Sequence, residues 1–345
     1  MIDPSLFITT PPPLDPAWLA HEQATGLLLP QPVITSPAQR ALNYANRCRD
    51  LNAQLLAGRD AYLASVTTRE WYVDRPSASQ HSEDVIPIRI YHPASNHEVM
   101  VIYFHGGGLY VGDLDSEDMS CRRVAHELGC TVYSVDYRLM PTFTAENALT
   151  DAKIAFSGIT KEREDGDCKI ILMGSSSGGQ LAAQVSQWWA QEGMRGLSND
   201  RMEIYGILLR GPVTCDASNL PTHLKDLHHS LSPAFHTSLL STAALNNSNR
   251  TLSTLPLEAP ASILAKMPKH WIQVCTNDMY YSDGVCYAKV LEEVGVQVEL
   301  NVVVGWPHTF WLKAPGLERA EVAERDMVEG LRWLVRGEEE DRSTS

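Results

Sequence analysis

The sequence predicts an α/β protein with a mostly parallel central sheet flanked by helices and a helical cap. Three observations carry that prediction. Short apolar runs alternate with helical stretches from about Trp71 onward, the pattern of repeated strand–helix–strand crossovers. The clearest run, Val99 to Phe104, is almost wholly apolar, as a strand covered on both faces must be. The chain has 345 residues, 44% hydrophobic and 20% charged, enough to bury a sizeable core.

The elements follow in order. Up to about Thr35 proline punctuates the chain, which leaves room only for short helical pieces and turns. Ser36-Pro37 predicts a helix start, serine as N-cap and proline in the first position. That helix runs to near Ala57, and Gly58 suits its end. Ile86, Ile88 and Ile90 alternate with Pro87, Arg89 and Tyr91, a half-buried strand whose proline places it near a sheet edge. Further strands are expected at Thr131 to Val135, Ile170 to Met173, Ile204 to Leu209, Trp271 to Cys275 and Val298 to Val304. Helices are expected at Ser116 to Leu128, Glu146 to Phe156, Gly179 to Gln191, Gly284 to Val294 and Leu317 to Val335. In the last, Met327, Leu331 and Leu334 keep the spacing of a buried helical stripe. From Cys215 to Pro260 no strand pattern appears, and so long an interruption reads as a lid. The expected organisation is an N-terminal cap segment over 1–58, core over 59–214 and 263–336, a cap or lid insertion over 215–262, and a frayed tail over 337–345.

The formal net charge is 28 − 42 = −14. That balance argues against nucleic acid, whose phosphates need a surplus of Lys and Arg, and against anionic membranes. Seven cysteines, odd in number and scattered without a CxxC, fit a reducing compartment better than a disulfide framework. No basic segment followed by an apolar one opens the chain, and no run nears the roughly eighteen apolar residues of a membrane span. A cytoplasmic protein is expected.

Two motifs carry chemistry. Gly174-Ser175-Ser176-Ser177-Gly178-Gly179 follows one apolar run and precedes a helical stretch, the setting of a G-x-S-x-G nucleophile elbow. Its glycines leave room for strand and helix to approach while the Ser176 hydroxyl projects. His105-Gly106-Gly107-Gly108 directly follows the run Val99 to Phe104, where consecutive glycines free backbone N–H groups to hold an oxyanion. A hydroxyl nucleophile needs a base, and the base an orienting acid. In chain order Ser, acid, His, two positions fit: Asp278 after the strand ending at Cys275, and His308 after the strand ending at Val304. All three would meet at the C-terminal edge of the sheet, where open α/β sheets bind ligands. Asp283 is the rival acid, though it better suits capping a helix from Gly284. His228 and His229, within the insertion, read as solvated or lid residues. Adjacent histidines do not place two ligands on one helical face, and no HExxH is present, so no metal and no cofactor are expected. Trp306 and Trp311 flank His308, and a wall of the acyl pocket and a place in the core are both open to them. Leu109, Tyr110, Ser175, Met279, Trp306 and Thr309 adjoin these motifs and are the expected substrate-facing residues.

These residues resemble the hormone-sensitive lipase branch of the α/β-hydrolases. Val101 to Gly108 with Gly112 resembles its HGGG block, and Asp136 to Pro141 with Asp151 its YRLAPE block. Gly174 to Ala182 resembles GDSAGGNLA, Asp278 to Gly284 resembles DPLRDEG, and Gly305 to Phe310 resembles GxxHGF. The five blocks stand in family order over roughly Val85 to Val335. The resemblance implies an α/β-hydrolase fold, with Ser176 as nucleophile, Asp278 as orienting acid and His308 as base. It further implies an oxyanion hole from the N–H groups of Gly106, Gly107 and Ser177, and ester hydrolysis without cofactor or metal. A strand over 298–304 placed to pair across a homodimer is also implied. There are departures: Ser175 replaces the acid before the nucleophile, Thr309 the glycine after the base, and Met279 the proline after the orienting acid. The proline-rich start and the run Asn277 to Asp283 are similar to fungal members acting in polyketide pathways.

The expected function is therefore a serine carboxylic-ester hydrolase acting on a small-molecule ester, such as an acetate of a polyketide-type secondary metabolite. The alternatives are an acyltransferase, cyclase or dehydratase using the same three residues, and, further off, a non-catalytic ligand receptor.

Overall fold

The apolar runs fold as the strands of one sheet: β1 Thr67–Asp74, β2 Val85–His92, β3 Val99–Phe104, β4 Thr131–Val135, β5 Lys169–Ser175, β6 Glu203–Arg210, β7 Lys269–Asn277 and β8 Val298–Pro307. The computed structural model describes residues 1–29, 34–76, 85–93, 99–162, 168–194, 203–216, 219–235 and 254–336. Strand order is β1-β2-β4-β3-β5-β6-β7-β8. From β4 to β8 neighbours are parallel, while β2 runs antiparallel to both β1 and β4.

Each central strand feeds two cores, because successive side chains leave opposite faces. Met100, Ile102 and Phe104 of β3 enter one apolar cluster, and Val101 and Tyr103 enter the other. The first face is covered by α4 (Ala145–Glu162), α5 (Ser177–Met194) and, after the one-turn α6 (Ala261–Leu264), α7 (Tyr281–Glu293). The second is covered by α3 (Asp118–Leu128) and, beyond the one-turn α8 (Phe310–Lys313), α9 (Glu318–Val335). The expected stripe of α9 is buried there: Met327, Leu331 and Leu334 are fully enclosed.

Ahead of the sheet lie α1 (Pro16–Thr25) and α2 (Pro37–Ala57). Ser36 caps α2 as its sequence requires, accepting from the Gln39 amide at 3.3 Å. The proline-rich start threads over the C-terminal edge of the sheet. Asn277 donates to the Pro12 carbonyl at 2.7 Å, and the Asp15 amide to the Gly305 carbonyl at 2.9 Å.

β2 lies near the sheet edge as expected, one strand in; the edge strand is β1, which pairs along its whole length and opposes Tyr72 to Pro87. Part of the expected insertion, 236–253, and the expected tail, 337–345, lie outside the described residues. Among the described residues no helix is long and apolar enough to cross a membrane.

Candidate active site

The turn between β5 and α5 holds Ser176 at φ 53°, in the left-handed region, a conformation that costs about 1–3 kcal/mol for a non-glycine residue. Its surroundings fix it there. The Ser176 amide donates to the Arg210 carbonyl of β6 at 2.8 Å, and its own carbonyl accepts from Gln180 in α5 at 3.2 Å. The approach of strand and helix leaves no space for side chains at the flanking glycines. A Cβ on Gly178 would lie 2.0 Å from the Phe104 carbonyl oxygen.

Asp278 follows β7 and His308 follows β8, so both reach the edge where Ser176 projects. His308 Nδ1 lies 2.5 Å from Asp278 Oδ2, and its Nε2 lies 2.8 Å from Ser176 Oγ. With Nδ1–H donating to the carboxylate, the Nε2 lone pair is left to accept the serine proton. Asp278 Oδ1 takes the Tyr280 amide at 2.9 Å, which fixes the carboxylate plane. All three side chains are buried.

The glycine loop is pinned from behind. His105 is fully buried, and its Nδ1 donates to the Gly106 carbonyl at 2.7 Å. Burial pulls the pKa of this imidazole below its usual value, which keeps it neutral. Here one sequence expectation changes. The Gly106 N–H does not face the nucleophile: it donates to Glu117 Oε1 at 2.7 Å. The same carboxylate accepts from Ser175 Oγ at 2.5 Å and from the Tyr103 hydroxyl. Burial pushes the Glu117 pKa up, against the opposing pull of these donors. Of the three amides expected to hold an oxyanion, that leaves Gly107 (φ 120°) and Ser177, the first residue of α5.

A cavity of about 640 Å³ opens on Ser176 and His308. Of the residues expected to face substrate, Tyr110 and Thr309 line it. Four others do not. Leu109 is buried in the larger apolar cluster, Ser175 faces Glu117, and Met279 is buried away from the cavity. Trp306 packs edge-on to Trp18 with ring centroids 6.1 Å apart. Trp311 is the tryptophan that lines the cavity. Within the expected cap segment over 1–58, sequence reasoning named none of the residues of the opposite wall, supplied by α2. Arg40, Tyr44, Arg47, Leu51 and Leu55 all line the cavity, and their i, i+4, i+7 spacing was the available signal.

Asp283 does not cap a helix, since α7 already begins at Tyr281. It anchors the segment after β6 instead. Its Oδ2 accepts from the Thr214 and Cys215 amides at 2.8 and 3.2 Å, and its Oδ1 pairs with His228 Nε2 at 2.9 Å. His228 is therefore a buried partner rather than a solvated residue. Among the described residues, Cys215, His228 and Asp283 are the group whose ligand-type atoms lie close enough, within 4.8 Å of one another, to hold a metal ion.

The comparisons with known proteins follow this geometry. A family model described as alpha/beta hydrolase fold matches residues 101–312. The versiconal hemiacetal acetate esterase of Aspergillus parasiticus is 26% identical over 301 residues, 83% of this chain and 92% of that protein. An FAD-linked oxidoreductase of Aspergillus terreus, pytB, is 27% identical over 294 residues, 81% of this chain but only 35% of that protein. The chain thus spans about a third of that relative, and about half of another, a lipase of Moraxella. Others carry the names ethyl acetate hydrolase, carboxylesterase and esterase. In fold, the chain is similar to the crystal structure of vibralactone cyclase, with a TM-score of 0.77 at 19% identity over 95% of this chain and 96% of that one.

Proposed function

The chain belongs to the alpha/beta hydrolase fold family, and from that premise we propose that it is a serine carboxylic-ester hydrolase acting on a small-molecule ester, with Ser176, His308 and Asp278 as its catalytic residues. The observation that carries this reading is the unbroken relay from Asp278 through His308 to a strained serine hydroxyl at a cavity wall. His308 Nε2 takes the Ser176 proton as Oγ attacks the ester carbonyl, and Asp278 stabilises the imidazolium that forms. The tetrahedral oxyanion falls to the Gly107 and Ser177 amides, each donor contributing about 3 kcal/mol. The imidazolium protonates the leaving alcohol, and a water activated by His308 then hydrolyses the acyl-enzyme. These steps ask for no cofactor. The names of the esterase relatives support the reaction class, and the versiconal hemiacetal acetate esterase supports an acetate of a polyketide-type alcohol as substrate.

The test is a hydrolysis panel of acetate esters run in heavy-oxygen water, with labelling by a fluorophosphonate. We expect label on Ser176, heavy oxygen in the released acid, and a loss of at least about 10⁴-fold in kcat for Ser176→Ala. A folded protein that resists the fluorophosphonate, or a turnover that puts no solvent oxygen into the acid, refutes the hydrolytic reading.

A further inference from the structure

The charges lining the cavity do not balance. Its acidic residues are already engaged. Asp60 pairs with Arg59 at 2.9 Å and Arg123 at 3.0 Å, Glu321 with Arg59 at 2.6 Å, and Glu324 with Arg210 at 2.7 Å. Glu117 is saturated by hydroxyls and the Gly106 amide. Three cations of the same lining, Arg40, Arg47 and Lys313, have no carboxylate partner among the described residues. In a chain of net charge −14 this local surplus is not the overall balance showing through.

Lys313 is the most informative of the three. It lies at the end of α8, one turn past the base, and its Nζ donates to the His308 carbonyl at 2.6 Å. That neutral acceptor uses one of three ammonium N–H donors. Burial lowers the lysine pKa to about 8, against the opposing pull of the Asp278 carboxylate and, more weakly, of Glu22. Arg47 on α2 lines the same cavity and shares a neighbouring recess with Lys313, and its charge adds to that lowering. Two cations that repel each other in one cavity wall, with no ion pair of their own among the described residues, would be relieved by one anion between them. The walls around them, Tyr44, Leu51, Leu55 and Trp311, suit an apolar or aromatic body.

We propose that Lys313 and Arg47 form an anion subsite, which holds a carboxylate carried by the ester substrate while Ser176 attacks the ester carbonyl. The preferred substrate is then an acidic ester: an apolar or aromatic molecule bearing both an ester and a free carboxylate. This rests on the hydrolytic reading of the same site, and deepens it.

The experiment compares para-acetoxybenzoate with para-acetoxybenzamide, and acetoxyacetate with acetoxyacetamide, so that each anionic ester has a neutral isostere at two spans. The wild-type protein is expected to favour at least one anionic member by about tenfold in kcat/KM, less at high salt. Arg47→Gln and Lys313→Met are each expected to cut that ratio about tenfold. Arg47 is exposed, so its variant keeps the test open where the Lys313 variant fails to fold. Ratios near one for both pairs, or ratios unmoved by either variant, overturn the subsite. A second readout needs no turnover: benzoate should slow fluorophosphonate labelling of Ser176 more than benzamide does, and equal protection counts against the subsite even if no ester is cleaved. Loss of hydrolysis with selective protection by benzoate would refute the esterase reading and leave the subsite standing.

Discussion

Three residues of the relay were legible because each sits in a motif whose chemistry demands it. The groups that aim the oxyanion loop were not, because they meet only in three dimensions. Ser175 and Glu117 stand 58 residues apart, and nothing in either local sequence points to the other. Read alone, Ser175 is a lost acid next to the nucleophile. Beside Glu117 it becomes a donor, and the carboxylate that the resemblance leads one to expect at 175 arrives from the N-cap residue of α3. The consequence can be tested at single residues. A buried amide left without an acceptor costs about 1–3 kcal/mol, and the Gly106 amide becomes one when the Glu117 carboxylate is removed. Glu117→Leu should therefore lower kcat by about tenfold to a hundredfold with KM little moved, as the glycine loop shifts under Gly107. Glu117→Gln should lose far less, since its carbonyl can take the Gly106 N–H while the Ser175 and Tyr103 hydroxyls turn to accept from its amino group. Adding Ser175→Asp to Glu117→Leu should restore activity by returning a carboxylate to the site. Steady-state kinetics with a neutral aryl acetate decides this; equal losses for the leucine and glutamine variants would refute the positioning role.

Elements were legible in proportion to how completely they are covered. β3 to β7 are shielded on both faces and read as apolar runs. β1 is exposed along most of its length, with Val73 its one buried side chain, so it carries no hydrophobic period and was missed. Pro87 nonetheless placed β2 near the edge, where it lies one strand in. α7 presents a different failure. The sequence offers Asp283 as a helix cap, a local role, whereas the folded chain uses its carboxylate to join α7 to Thr214, Cys215 and His228. Its neighbour Ser282 accepts the His229 and Ser230 amides at 3.1 and 3.0 Å, so one turn of α7 clamps the segment after β6. Breaking a buried pair by removing one partner strands the other. Asp283→Asn should cost about 3 kcal/mol in urea unfolding, and His228→Gln a comparable amount. The double variant should cost little more than either alone, because both remove the same contact. Additive losses would mean that the two side chains stabilise the fold independently.

For the molecule as a whole, the parallel sheet sets how stability answers to acid, through one histidine it encloses. His270, the second residue of β7, has no exposed surface, and its Nδ1 donates to the Pro268 carbonyl at 2.8 Å while Nε2 has no partner among the described residues. Burial lowers its pKa from 6.5 to about 4, so the folded protein holds it neutral where the unfolded chain already takes up a proton. The linkage has a definite sign. Above pH 6.5 both states carry a neutral ring and nothing is lost; as pH falls towards about 4 the unfolded state binds the extra proton and stability declines. A shift of that size is worth about 3 kcal/mol. Asp136 acts in the opposite sense. Burial raises its pKa to about 7, so its protonation stabilises the fold below that pH and masks part of the decline. The slope of the wild-type protein alone is therefore not the readout; its difference from His270→Phe is. The phenylalanine variant loses the bond to Pro268 at every pH but has no ring to protonate. Measured by urea unfolding, its deficit against the wild type at neutral pH should shrink steadily on acidification, and near pH 4 the variant should stand about 3 kcal/mol better relative to wild type than it did at pH 7. Parallel curves for the two proteins would show that the enclosed imidazole titrates alike in both states, and that the acid response comes from elsewhere in the chain.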